Sequence, residues 1–250
     1  MRLLAITFLL AASVHAAEPD YTAWNHILKT YYDPARGMDY AHLKAKDART
    51  LESLRQQLGK VNVAALNRKQ QLAYWINVYN VNSVATVVEN YPVKSIRDVS
   101  TDPIRRLNVF SKERIPFNGE LLSLDDVENK KIREGFHDPR IHFAINCAAK
   151  SCPPIRPEAF NGETIDSQLD DQVRKFLTAA RFEKSGEALI VHVTKIVDWF
   201  GKDFEAWGAG RVQFIRRFVA PDKQKLIDDA RSDVKLEYDD YDWDLNDWKK

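Results

Sequence analysis

Residues 73–88 read AYWINVYNVNSVATVV. Apolar residues recur here at every helical spacing, within a longer helical pattern from residue 66 to 90 that Pro92 stops. A helix apolar on most sides is expected at the centre of a fold, covered by other elements. Trp75, Tyr79 and Asn82 share one side of it, and Asn77, Asn80 and Val84 another. Asparagine is a poor helix former, and a buried amide left unpaired costs about 1–3 kcal/mol. Asn77 and Asn80 are therefore expected to bind something, either the backbone of a loop laid against the helix or the lining of a site.

Two helices are expected before this one. Tyr21, Trp24, Ile27, Leu28 and Tyr31 recur at helical spacing, and Asp33-Pro34 and Gly37 end that pattern. Residues 39–58 bury Leu43, Leu51, Leu54 and Leu58, and Gly59 closes them. After the central helix, residues 107–117 suggest short strands, with Phe117-Asn118-Gly119-Glu120 as a hairpin turn. Ser123 opens a helix through a capping box with Asp126; Leu124, Val127 and Ile132 face inward, and Glu128 stands at the margin of that face.

The chemistry concentrates in residues 138–155, DPRIHFAINCAAKSCPPI, which hold both cysteines, Cys147 and Cys152. The alternation suggests a strand with Arg140, His142, Ala144 and Asn146 on one face, running into a tight turn. Farther on, residues 164–181 form an amphipathic helix with Ile165, Leu169, Val173, Phe176 and Leu177 buried. Residues 187–193 form a strand, Thr194 starts a helix ending near Gly201, and residues 212–219 and 223–230 are short helices. Residues 236–243 suggest a last strand. No Gly/Ser/Pro-rich linker divides residues 17–250. The expectation is one α+β domain, helix-rich, with a small mixed or antiparallel sheet, a layout compatible with a thiol-hydrolase-like arrangement.

The chain has 250 residues, 44% hydrophobic and 29% charged, with a formal net charge of +1. Nothing in that balance points to nucleic acid. Residues 1–16 read as a secretory signal: Arg2 supplies the positive start, residues 3–12 the apolar core, and Val14-His15-Ala16 the cleavage site. No stretch approaches the ~20 apolar residues of a membrane span. The expected location is periplasmic or secreted, after cleavage behind Ala16. An oxidising compartment permits a Cys147–Cys152 disulfide. The chain-entropy model assigns so short a loop only about 2 kcal/mol.

The segments AYWINVYN, SLDDVENKKIR, DPRIHFAINCAAKSCPPI, TKIVDWFGKDF and YDWDLN occur in that order across residues 72–246. Together they resemble the family catalogued as domain of unknown function 547. The resemblance implies that Cys147 occupies the steadier cysteine position, that plant relatives often carry serine where Cys152 stands, and that Glu128 matches a family glutamate. The family often has histidine directly after that glutamate, where this chain has Asn129.

A thiol nucleophile needs a thiolate, a proton acceptor and donors for the oxyanion. Lys150 is placed to favour the Cys147 thiolate. The backbone N–H groups of Ala148 and Ala149, helped by Asn77 or Asn80, are candidate donors. His142 is one candidate acceptor, although an unbroken strand would set it on the face opposite Cys147. His192, followed by Asp198, is the other: the order Cys, His, Asp is that of transglutaminase-like and papain-like thiol enzymes. His26, His42 and His137 read as surface or turn residues. No metal or cofactor is expected; the acids around Asp239, Asp240, Asp242 and Asp244 read as solvated charges or at most a loose calcium site. Two functions stand side by side. One is an exported thiol-dependent hydrolase or acyl transferase at a peptide or amide bond, using Cys147, His142 or His192, and Glu128. The other is a non-enzymatic binding module for an unknown peptide or protein, with the disulfide as a rigid loop and Trp75, Tyr79, Trp199, Trp243 and Trp248 supplying core and contact area.

Overall fold

A computed structural model describes residues 17–99, 108–208, 210–230 and 233–248. The expected signal segment 1–16 and the first residue of the strand expected from 107 lie outside these. The central helix is α3, Arg68–Asn90, opened by a full capping box in which Asn67 and Gln70 exchange side-chain and backbone hydrogen bonds. Every residue from Leu72 to Val88 is buried. Its cover comes first from α1 (Thr22–Tyr31) and α2 (Tyr40–Leu58), where Asp39 caps the start of α2. Between them a two-residue pairing of β1 (Tyr32–Asp33) with β2 (Gly37–Met38) makes the turn.

The hairpin at Asn118-Gly119 forms as expected, joining β3 (Ile115–Phe117) to β4 (Glu120–Leu122). Both turn residues take positive φ, which the Asn-Gly pair tolerates. Residues 108–114 before it are turn and irregular chain, so only the last part of the strand expected there exists. The Ser123–Asp126 capping box is present in both directions. What it opens is a π-helical segment, Asp126–Arg133, followed by the single turn α4, Glu134–Phe136. In i→i+5 winding, residues five apart share a face. Val127 and Ile132 are buried together, and Glu128 and Arg133 lie together on a neighbouring side.

Residues 138–155 are not a strand. Pro139–Phe143 is a 3-10 helix capped by Asp138, and the rest is loop. Pro139 fits the first turn of a helix. Around Ala144 and Asn146 the loop bonds to side chains, and from Ala148 to Ser151 it bonds the backbone of residues 242–246, with one isolated antiparallel bridge between Ala149 and Leu245. Asn80 donates to the Ala144 carbonyl (2.9 Å) and accepts from the Asn146 N–H (2.8 Å).

Beyond it, α5 (Ile165–Leu177) is shorter than expected, and Phe176 is half-buried rather than buried. Arg181, expected as the end of that helix, instead starts β5 (Arg181–Ser185), which pairs antiparallel with β6 (Ala188–Val193). β7 (Val234–Tyr238) runs parallel on the other side of β6 and stops five residues before the end expected for it. The helix at Thr194 divides at Phe200 into α6 (Ile196–Trp199) and α7 (Gly201–Ala206). The helices α8 (Gly210–Phe218) and α9 (Pro221–Ala230) complete the chain of elements.

The result is a helix-rich α+β fold with sheets of two and three strands. One apolar cluster surrounds α3. A second, built on Phe143, Val191, Phe204 and Phe214, lies between the three-stranded sheet and α5, α7 and α8. The 138–155 stretch passes between the two clusters. Residues 239–248 then return across it: Asn246 N–H bonds the Ala148 carbonyl, Leu245 N–H the Lys94 carbonyl, and Trp248 N–H the Met38 carbonyl.

Candidate functional site

Cys147 and Cys152 form a disulfide, with Cα atoms 6.2 Å apart. The loop between them turns at Ala148, whose φ of 61° is left-handed. Asn146 anchors that turn. Its amide donates to the Pro153 carbonyl (2.7 Å), and its oxygen accepts from the Ala148 N–H (2.8 Å). The Cys147 N–H points at the Cys152 sulfur (3.0 Å). The Tyr241 hydroxyl lies 3.2 Å from one sulfur and 3.0 Å from the other.

The disulfide forms part of the wall of a cavity of about 340 Å³. Asp125, Glu128 and His142 face the same space. Tyr79, Phe110, Trp199, Phe200, Tyr241 and Trp243 give it an aromatic lining. Trp199, Tyr241 and Trp243 pack on one another with ring centres 4.7–6.1 Å apart, and Trp199 is 46% exposed at the surface.

The π-helical segment brings Glu128 to this wall. Burial raises its carboxyl to about 7, and Asp125 and Asp203 add to the rise; Arg133 and a hydrogen bond from the Tyr79 hydroxyl oppose it. Burial likewise raises Asp125. His142 is enclosed, its side chain 1% accessible and its ring stacked 3.8 Å from that of Phe200. Its Nε2 lies 2.8 Å from Asp203 Oδ2. Arg133 makes a bidentate pair with the same carboxylate. His142 and Arg133 hold Asp203 far below the usual carboxylate range, while burial lowers His142. An ionised Asp203 facing a neutral imidazole makes Nε2 the donor and leaves Nδ1 a lone pair. That Nδ1 is buried and has no hydrogen-bond partner among the described residues.

The expected site residues divide accordingly. Cys147, Cys152, His142 and Glu128 converge. The opposition of His142 and Cys147 across a strand disappears, because 3-10 helix and loop replace the strand. His192 does not join them: it sits on β6, 3.5 Å from Glu183 and 3.4 Å from Glu237, and Asp198 pairs with Lys195. Lys150 turns away to Asp244 (2.5 Å) and Asp242 (3.5 Å), so it does not serve the sulfur, and those two acids serve an ion pair. Asn77 pins the backbone of Phe160 in both directions, and Asn80 pins Ala144 and Asn146; both are loop anchors. Ala148 N–H is taken by Asn146, which removes it as an oxyanion donor.

Asp203, Asp125 and the Tyr241 hydroxyl were not anticipated as site groups. Asp203 lies inside the TKIVDWFGKDF segment, yet nothing local marks it over Asp198; only the packing of α7 against the 3-10 helix selects it. Among the described residues no group of three or more His, Cys, Asp or Glu side chains is arranged to hold a metal ion, and no helix is long and apolar enough to cross a membrane.

Residues 63–177 match the family described as protein of unknown function, DUF547. Over those residues the chain is similar to DUF547. No curated protein and no solved structure gives a significant match to the chain. The matched region supplies Tyr79, Asp125, Glu128, His142 and both cysteines. It ends before Trp199, Phe200, Asp203, Tyr241 and Trp243, although the resemblance expected from the sequence ran to 246. The matched segment thus carries the polar half of the cavity, and the following residues carry most of its aromatic half.

Proposed function

We propose that the chain is an exported acyl-transfer enzyme, a hydrolase or acyl transferase at a peptide or amide bond, whose nucleophile is stored as the Cys147–Cys152 disulfide. The carrying observation is that Cys147, His142 and Glu128 open on one cavity while Asp203 orients the imidazole from behind. A dithiol reductant opens the disulfide and is itself oxidised to one. The Cys147 sulfur then attacks the carbonyl as its proton passes to His142 Nδ1. The amine leaves with that proton, and water or a second amine releases the acyl group from the thioester, regenerating the thiol. Glu128, near half-protonated at neutral pH, is suited to give or take a proton at the opposite wall. Residues 1–16 would carry the chain to an oxidising compartment, so the mature protein should begin at Ala17.

The closed disulfide favours a second reading, a binding module without chemistry. Replacement of the cysteines separates the two. Treated with p-nitrophenyl acetate, Cys152→Ala should acquire an acetyl group on Cys147 that water slowly removes, with acylation slowed at least tenfold by Asp203→Asn. If Cys147 in Cys152→Ala acylates no faster than a free cysteine peptide, the enzymatic reading fails and the module remains.

A further inference from the structure

The cavity is selective in its charge. Its described lining includes two carboxyl groups, Asp125 and Glu128, and no lysine or arginine. Two guanidinium groups stack on rings of its wall: Arg133, committed to Asp203 and Asn129, lies 4.9 Å over Phe200, and Arg97 lies 5.0 Å over Trp243. The aromatic rings present faces that carry negative charge density, which attract cations. A third acceptor stands among them: the buried, unpartnered Nδ1 of His142. A buried acceptor without a donor is costly, and His142, which carries it, borders this space.

Three acceptors around an aromatic-walled space match one chemical group. We propose that this cavity is a subsite for a primary ammonium on an unbranched aliphatic stem, a lysine-type side chain. Its three N–H donors meet Glu128, Asp125 and His142 Nδ1, and its methylenes lie against Trp199, Tyr241 and Trp243. A neutral alcohol lacks the charge and two of the donors. A carboxylate is repelled by the two acids. The site is complete with the disulfide closed, so the inference does not depend on thiol chemistry.

Binding is linked to protons. Glu128 faces Asp125 and Arg133 from its own segment, Tyr79 from α3, His142 from the 3-10 helix, Asp203 from α7 and Tyr241 from the return segment. Protonated at mildly acidic pH, it must ionise to pair with an ammonium. Affinity therefore rises about tenfold per pH unit while Glu128 alone titrates, and levels off above its midpoint.

The test titrates the oxidised full chain with n-butylamine, n-butanol and butyrate, following Trp fluorescence and calorimetry between pH 5.5 and 8, as chosen assay conditions at roughly constant ionic strength. Saturable binding of n-butylamine at least tenfold tighter than n-butanol, strengthening with pH, supports the proposal. Glu128→Gln should flatten the pH dependence and remove most of the affinity. Trp199→Ala, at an exposed position, should weaken binding severalfold without loss of fold. Equal binding of amine and alcohol, absent saturation, or a pH-independent affinity in the unmodified chain overturns it. Binding of n-butylamine by a protein whose Cys147 never acylates would sink the thiol mechanism and leave this subsite standing.

Discussion

At the scale of single residues, Glu128 is a carboxyl that burial carries up to near neutrality. Its folded-state midpoint, about 7, lies above the ordinary glutamate value of 4.5. The folded protein therefore holds this proton more tightly than the unfolded chain does. The associated stability is fully present below the unfolded midpoint and is lost as pH rises through the folded one. At about 1.4 kcal/mol per unit, the loss is on the order of 3–4 kcal/mol. Glu128→Gln keeps the shape and removes the ionisation. It should raise stability by that order at pH 8 and change it little at pH 4.5, as read by urea denaturation at the two values. Asp203 behaves in the opposite sense. Its ionisation is favoured by His142 and Arg133 in the fold, so that contribution is present above the usual carboxylate midpoint and fades in acid.

At the scale of elements, α3 acts as the mould for the site. Its buried asparagines fix the backbone of segments that have no regular structure of their own. Asn80 holds Ala144 and Asn146, Asn146 holds Ala148 and Pro153, and the disulfide is set between those points. Asn80→Ala strips a buried carbonyl and a buried N–H of partners at once. It should destabilise the protein by about 2–4 kcal/mol in a denaturant titration, since each unsatisfied group costs about 1–3 kcal/mol. Reducing the disulfide should cost less, about 2 kcal/mol, because its loop is short and separately anchored. The reverse order of these two effects would mean that the sulfur bridge, not the helix, organises the loop.

At the scale of the whole molecule, the cavity depends on a segment that comes last in the chain. Ser95 Oγ donates to the Trp243 carbonyl, Lys150 pairs with Asp244, and Asn246 bonds both Tyr40 and Asn146. Gly37 has a φ of 102° and lies against the Asn246 carbonyl, where a Cβ would collide with that backbone. Tyr241 and Trp243 reach the cavity only because this segment is seated. A chain ending at Tyr238 should keep most of its helical circular dichroism, which resides in α1–α9. It should lose amine binding and expose both sulfurs to faster reduction, measurable by the rate of thiol release in dithiothreitol.

The long periodicities were legible in the sequence. The helices α1, α2, α3, α5, α8 and α9, the Asn118-Gly119 hairpin, the Ser123 capping box and strand β6 follow from spacing and end signals that act within a few residues. Cys147, Cys152, His142 and Glu128 were singled out by residue type and border one cavity, and of the two uses open to Asn77 and Asn80 the structure has the loop-pinning one. Tertiary structure decided the rest. Alternation in residues 138–146 suits a strand, but no described strand pairs with it; the 3-10 turns bond to themselves, and Asn80 of α3 takes the Ala144 carbonyl and the Asn146 N–H. His142 in preference to His192, and Asp203 in preference to Asp198, depend on which surfaces of separate helices meet. Lys150 and the return segment depend on charges some ninety residues apart in the chain. Local sequence encodes which backbone conformations are cheap. Which groups share a cavity is determined by packing between elements distant in sequence, and no short stretch of sequence contains that information.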